Sequence, residues 1–266
     1  MPMISLTIAG ETYRADTASA CDISIPFRFD EPQLQAYGAP AARAEIYRSA
    51  NFVGDVKQGG SCNCHRYLLT PHCNGTHTES VGHITHDPLS INTLALHALM
   101  LAKLITIEPT STHKDDPNSD LVITLQSLQH KLDQHTGPEI NAVIVRTKPN
   151  TADKKTRNYD EGRCPAYFKP DALAWLADLG IDHLLVDLPS VDRMDDGGRL
   201  LAHRAFWGLP AEATLTHHAT RPQATITELI YAPEQLQDGL YLMSLQVAPF
   251  VSDASPSRPL LYRLLP

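Results

Sequence analysis

Between Ala142 and Asp187 an apolar run, Ala142–Val145, is followed by a helix-like stretch and then by a second apolar run, Ile181-Asp-His-Leu-Leu-Val-Asp187. The helix is marked at both ends. Pro170 occupies the first turn, where its missing N–H costs nothing, Asp171 suits the positive end of the helix dipole, and Gly180 stands at the C-terminal cap. Leu173, Trp175, Leu176 and Leu179 supply an apolar face. Strand, crossover helix and strand within about 50 residues make a right-handed βαβ unit, with its strands parallel. The segments read as an α/β or α+β class. Twenty prolines spread along the chain argue in the same direction, because they interrupt long helices and exclude a helical bundle.

Other segments read more coarsely. Ile4–Ile8 alternates apolar and polar residues and, with a turn near Gly10, predicts a hairpin into Tyr13. Cys21–Phe27 is strand-like, residues 28–43 read as a loop punctuated by Pro32, Gly38 and Pro40, and Ile91–Ile105 reads as a buried helix carrying Leu94, Leu96, Leu99, Met100 and Leu101. Apolar segments at 121–128, 225–231, 240–247 and 260–265 follow, the last three as strands. No repeat and no Gly/Ser or charged linker divides the chain, so residues 1–266 read as one domain.

Composition removes several classes of function. Asp and Glu total 30 against 22 Lys and Arg, a net charge of −8 that offers no basic excess to nucleic acid. No run approaches the ~20 apolar residues of a membrane span, and the opening Met-Pro-Met-Ile-Ser-Leu-Thr lacks a basic patch before an apolar run. A cytoplasmic location is expected. Five cysteines are odd in number and sparse, which disfavours a disulfide framework, and Cys62-Asn-Cys64 lacks the partner pair of a zinc ribbon.

Histidine is the informative residue. Five of the thirteen, His65, His72, His77, His83 and His86, fall within one short stretch. In an extended segment, side chains two apart face the same side, so His77 and Glu79 can reach one divalent cation such as Zn²⁺ or Mn²⁺. Gly75 permits close backbone approach to that ion, and His83 stands where an imidazole can transfer protons near neutral pH.

The run Pro71-His-Cys-Asn-Gly-Thr-His-Thr-Glu-Ser-Val-Gly-His83 resembles the His-x-Gly-Thr-His-x-Asp-x-Pro-x-His signature of the metal-dependent cyclase and kynurenine formamidase family. Matches follow in the family's order: Val145-Arg146-Thr147, the helix at 170–179, Asp187-Leu-Pro-Ser-Val-Asp192, Leu201-Ala-His203-Arg204, Ile226-Thr-Glu228-Leu229, Ala248-Pro249 and Ser255-Pro-Ser-Arg258. The resemblance implies a mixed α/β, cyclase-like swivelling β/β/α fold with a central mixed sheet, and a homodimer or homotetramer. It also implies one or two divalent ions, zinc first and manganese as the alternative, activating water. His77 and Glu79 would bind the first ion, Glu79 would bridge, His203 and Glu228 would complete the second site, and His83 would be the general base or acid.

Departures from the family pattern qualify the ligand set. Glu79 stands for aspartate and Val81 for proline. In strict register the first ligand position falls on Cys73, while His72, one residue earlier, would need a bulge to point inward. Imidazole and thiolate both bind zinc, and His72 is taken as the ligand because a thiolate is oxidisable and Pro71 and Asn74 mark a kinked backbone.

The implied activity is an arylformamidase-like hydrolysis of a non-peptide C–N bond, in an aryl formamide or cyclic amide, or of a related ester. The alternatives are a non-catalytic metal- or ligand-binding protein on this scaffold and a metal-dependent isomerase or true cyclase. Asp187 and Asp192 divide equally between turn formation and function, and Arg146 reads as structural. The His86-Asp87 pair is either a support for a ligand or an exposed turn, and His217-His218 reads as a solvated loop. Phe206, Trp207, Tyr167 and Phe168 are candidates for an aromatic wall, though packing in the core explains them equally well.

Overall fold

The computed structural model describes residues 3–8, 10–113, 116, 118–132 and 139–265. Ten strands form its main sheet: β1 (Met3–Ile8), β2 (Glu11–Asp16), β3 (Cys21–Asp22), β4 (His77–Glu79), β5 (Met100–Ile107), β6 (Ala142–Thr147), β7 (His183–Val186), β8 (Thr225–Glu228), β9 (Gly239–Val247) and β10 (Ala254–Leu265). Seven of them close on themselves in the order β10-β9-β5-β6-β7-β8-β4, with β4 paired to β10 again. Strands β5 to β8 are parallel and the remaining pairings in the ring are antiparallel. Closure removes the unpaired edges that an open sheet would leave. The β1–β2 hairpin and β3 attach to β10 outside the ring.

Four helices belong to the described residues: α1 (Pro71–Asn74), α2 (Leu125–Leu132), α3 (Pro170–Asp178) and α4 (Leu201–Trp207). The βαβ unit is present as read, since α3 follows β6 and β7 pairs with β6 in parallel. Gly180 adopts φ 77°, the left-handed conformation that ends a helix cheaply. Along β6 the period of two separates two cores. Val143 and Val145 pack with Leu173, Leu176, Phe206 and Trp207, while Ala142 and Ile144 join Leu104, Leu185, Met243 and Leu261 on the other face.

The helix expected over Ile91–Ile105 is not there. A single 3₁₀ turn, Ile91–Thr93, precedes strand β5, whose eight residues are almost all buried. A strand covered on both faces reads as a continuous apolar run, and periodicity alone does not separate it from a buried helix. Segment 121–128 likewise divides, into a strand Leu121–Ile123 and helix α2, and of the stretch 21–27 only Cys21–Asp22 forms a strand. None of the helices among the described residues is long and apolar enough to cross a membrane.

Candidate metal centre

Strand β4 is the keystone, because it pairs with β8 on one side and β10 on the other. His77 and Glu79 project to the same face, whereas Thr78 faces the opposite way and meets Thr227 Oγ1 at 2.8 Å. In the β4–β8 register Glu228 lies directly opposite His77, which brings imidazole and carboxylate to one face. Helix α4 delivers His203, and Asp192 starts that helix by accepting the backbone N–H groups of Ala202 and His203 at 2.8 and 3.0 Å. Helix α1 carries His72, and the 3₁₀ turn Val81–Ile84 carries His83.

These side chains converge. His203 Nε2 lies 2.9 Å from Glu79 Oε1 and 3.6 Å from Glu228 Oε1. His77 Nε2 lies 3.6 Å from Glu228 Oε2. His72 Nε2 and His83 Nε2 are each 3.8 Å from Glu79 Oε2. His77 and Glu79 are wholly inaccessible, and His203 and Glu228 are 1% and 4% exposed, so water does not relieve their charges. His72 and His83, about a quarter exposed, stand at the mouth of a cavity of about 330 Å³ that Tyr37, Cys73, Pro189 and Met194 also line.

Hydrogen bonding sets the ring tautomers. The Gly75 carbonyl only accepts, so at 3.1 Å it holds His77 with the proton on Nδ1. In the neutral ring Nε2 is then a lone pair facing the Glu228 carboxylate, acceptor against acceptor in a dry site. His77 Nε2 and Glu79 Oε2 are both buried with no hydrogen-bond partner. That pattern is costly in a closed protein and is what a divalent cation between the groups would relieve. Two trios have ligand atoms within 4.8 Å of one another, the fully buried His77–Glu79–Glu228 and Glu79–His83–His203, whose His83 is partly exposed, and both contain Glu79. His203 Nδ1 donates to Asp192 Oδ2 at 2.6 Å, and Glu228 Oε1 accepts from the Val191 N–H at 2.8 Å, so further contacts orient both groups.

Protons partly take the place of a cation in the electrostatics. Burial favours neutral His203, but the Glu79 charge and the bond to Asp192 outweigh it and push the ring well above its usual value. His83 is raised as Glu79 and Asp253 overcome its burial, and Glu79 is held down because His83 and His203 overcome its own. Burial, Asp160 and Glu228 push the Cys73 thiol up to about 11.

All five expected ligands and His83 thus come together, but details differ from the sequence reading. His72 and Cys73 sit on one helical turn, so both border the cavity without a bulge. Gly75 is extended, and a Cβ there would lie 2.8 Å from the Phe27 ring, so its smallness serves that packing. As read, Arg146 is structural, binding Thr106 and backbone carbonyls, and His217 and His218 are exposed; His86 is exposed too. Phe168, Phe206 and Trp207 belong to the core, and the aromatic residue on the cavity is Tyr37. Tyr37 is also one of the non-glycine residues with positive φ, at 59°, as are Leu200 and Leu229 beside the same site, and such conformations persist only where surroundings enforce them. Asp253 carries no local signal: it lies in a Ser/Pro loop before β10, and only the β10–β4 pairing brings it to His83.

Solved structures with this fold include one described as a potential metal-dependent hydrolase with cyclase activity, 19% identical, with TM-score 0.63, covering 93% of this chain and 99% of that one. Isatin hydrolase A from Labrenzia aggregata, bound to benzyl benzoate, is 17% identical with TM-score 0.63, over 92% and 93%. A predicted metal-dependent hydrolase from Bacillus stearothermophilus is 17% identical with TM-score 0.57, over 92% and 98%. No curated protein matches the sequence. The family model described as "Putative cyclase" matches residues 21–193, and with the fold and the convergent His/Glu cluster it shows that this chain belongs to the cyclase family.

Proposed function

We propose that the protein is a metal-dependent hydrolase that opens a non-peptide C–N bond, in an aryl formamide or a cyclic amide, or a related ester. The observation that carries this reading is the acceptor-to-acceptor contact of His77 Nε2 and Glu228 Oε2, buried beside the unpartnered Glu79 Oε2. His72, His77, Glu79, His203 and Glu228 would hold one or two divalent ions, with zinc suited to the nitrogen-rich set and manganese the alternative. When bound, the cation supplies Lewis acidity that polarises a carbonyl and makes water a competent nucleophile near neutral pH. His83 Nε2 lies on the cavity and is the atom that takes a proton from the attacking water and returns it to the leaving nitrogen. Pro189, Met194 and Leu200 give that cavity an apolar wall against bulk water. The relatives named isatin hydrolase support a cyclic amide as the first substrate to try.

The test is a panel of isatin, aryl formamides, other cyclic amides and lactones, with the protein loaded with Zn²⁺ or Mn²⁺ and products weighed by mass spectrometry. A product heavier by one water supports hydrolysis. A product of unchanged mass would make the protein an isomerase, and bound metal without turnover across the panel would make it a binding protein.

A further inference from the structure

Three imidazoles of the cluster are gripped by the same atom, Nδ1: His77 by the Gly75 carbonyl at 3.1 Å, His203 by Asp192 Oδ2 at 2.6 Å, and His83 by Asp253 Oδ2 at 3.2 Å. In each case the holder is an acceptor, so the proton sits on Nδ1 and Nε2 is turned toward the carboxylates. We propose that Asp253 is the positioning residue of His83, fixing the Nδ1–H tautomer and aiming Nε2 into the cavity. This inference rests on the proposed proton-transfer role of His83.

The backbone places Asp253 for this task. Its carbonyl accepts from Ser80 N–H and Ser80 Oγ at 2.9 and 3.2 Å, which ties the loop to the segment running from Glu79 to His83. The next residue, Ala254, lies opposite Glu79 in the β10–β4 ladder. Ser252 Oγ donates to Asp253 Oδ1 at 3.0 Å, and the Ser252 carbonyl accepts from the Ile91 N–H at 2.8 Å. The carboxylate is thus held from both ends of a short stretch, and a shift of His83 would have to move β10 as well.

A competing use of the same atoms is coordination, because His72, His83 and Asp253 have ligand atoms within 4.8 Å of one another. Asp253 Oδ2 makes an aligned hydrogen bond with His83 Nδ1 at 3.2 Å, and a ring nitrogen carrying that proton does not coordinate; His72 Nε2 lies 3.1 Å from the same oxygen without a hydrogen-bond partner, so zinc content decides between the two uses. A pair about a quarter exposed contributes little to folding stability, so removing the carboxylate should leave the protein folded and change the ring instead.

The experiment uses the full chain loaded with Zn²⁺ and labelled with ¹⁵N-histidine, with His83 resonances assigned through His83→Gln. Long-range ¹H–¹⁵N spectra report which ring nitrogen is protonated, alongside zinc stoichiometry and kcat and KM on the panel. The wild type should show Nδ1–H at His83. Asp253→Ala should shift the ring toward the other tautomer and lower kcat about 10–100-fold, with KM and zinc content unchanged. Asp253→Ser, also too short to hold the ring, provides the same comparison should the alanine variant not fold. An unchanged tautomer or an unchanged kcat overturns the proposal, and loss of zinc overturns it by making Asp253 a ligand. A wild type that turns over no panel member sinks the hydrolase reading, and the tautomer measurement still decides whether Asp253 sets the ring.

Discussion

Among the described residues, the buried charges at the end of β6 and those at β4 are finished differently. At the end of β6, the Asp187 carboxylate accepts from Thr147 N–H, Thr147 Oγ1 and Lys154 Nζ, and Lys154 Nζ also donates to the Thr147 carbonyl. Positive and negative charge are matched there, and both side chains have their partners. At β4, carboxylates of Glu79 and Glu228 face imidazole nitrogens, with His77 Nε2 and Glu79 Oε2 left over. The first cluster is complete without a ligand, whereas the second is balanced only by protons or by a cation. His183 sharpens the contrast. It is buried on β7 like His77 on β4, yet its ring meets the hydroxyl of Thr225 at 2.8 Å, and burial outweighs the pull of Asp182 and lowers it to about 4.

Each cluster responds differently to loss of one member. Glu79 belongs to both trios that share it with His77 or His203, so Glu79→Gln should empty the site of metal by elemental analysis and lower turnover about 10³-fold or more; retained metal at full occupancy would break the contrast. His83→Ala should keep the metal and lower kcat about 10²–10⁴-fold. An unchanged rate would remove that ring from the mechanism. Lys154→Met leaves the Asp187 carboxylate buried and unpaired, and urea unfolding should show a loss of about 3–5 kcal/mol with metal content unchanged. Loss of metal in this variant would mean that the two clusters are one system.

The smallest effect concerns His183. Its folded value, about 4, lies below the 6.5 of an unfolded histidine, so its contribution is complete above the higher value and is lost as pH falls toward the lower one. Between pH 7 and 5 the wild type should lose about 2 kcal/mol from this group. His183→Asn, which keeps a polar atom near Thr225 and does not titrate, should show a shallower fall in urea midpoint. Equal slopes would mean that the buried ring is not held neutral.

What could be read from the chain follows from how local each feature is. Pro170, Asp171 and Gly180 mark α3 within its own turns, and His77 and Glu79 declare a shared face by their spacing alone. Strand β5 differs from the helix its sequence predicts because burial on both sides erases alternation, leaving Met100–Ile107 no different in pattern from a buried helix. Asp187 and Asp192 flank the same Pro-Ser turn and look equivalent, yet one closes on Lys154 and the other starts α4 and orients His203. Asp253 reaches His83, and Tyr37 the cavity, only through strand pairing and loop closure distant in sequence, which no local pattern announces.

Anomalous diffraction from crystals of the purified protein, recorded on both sides of the zinc and manganese absorption edges, tests the central claim most directly. The account predicts a peak coordinated by His77 Nε2 together with Glu79 and Glu228 oxygens. Density showing those atoms joined only by water, with no anomalous signal after soaking in either metal, would contradict it.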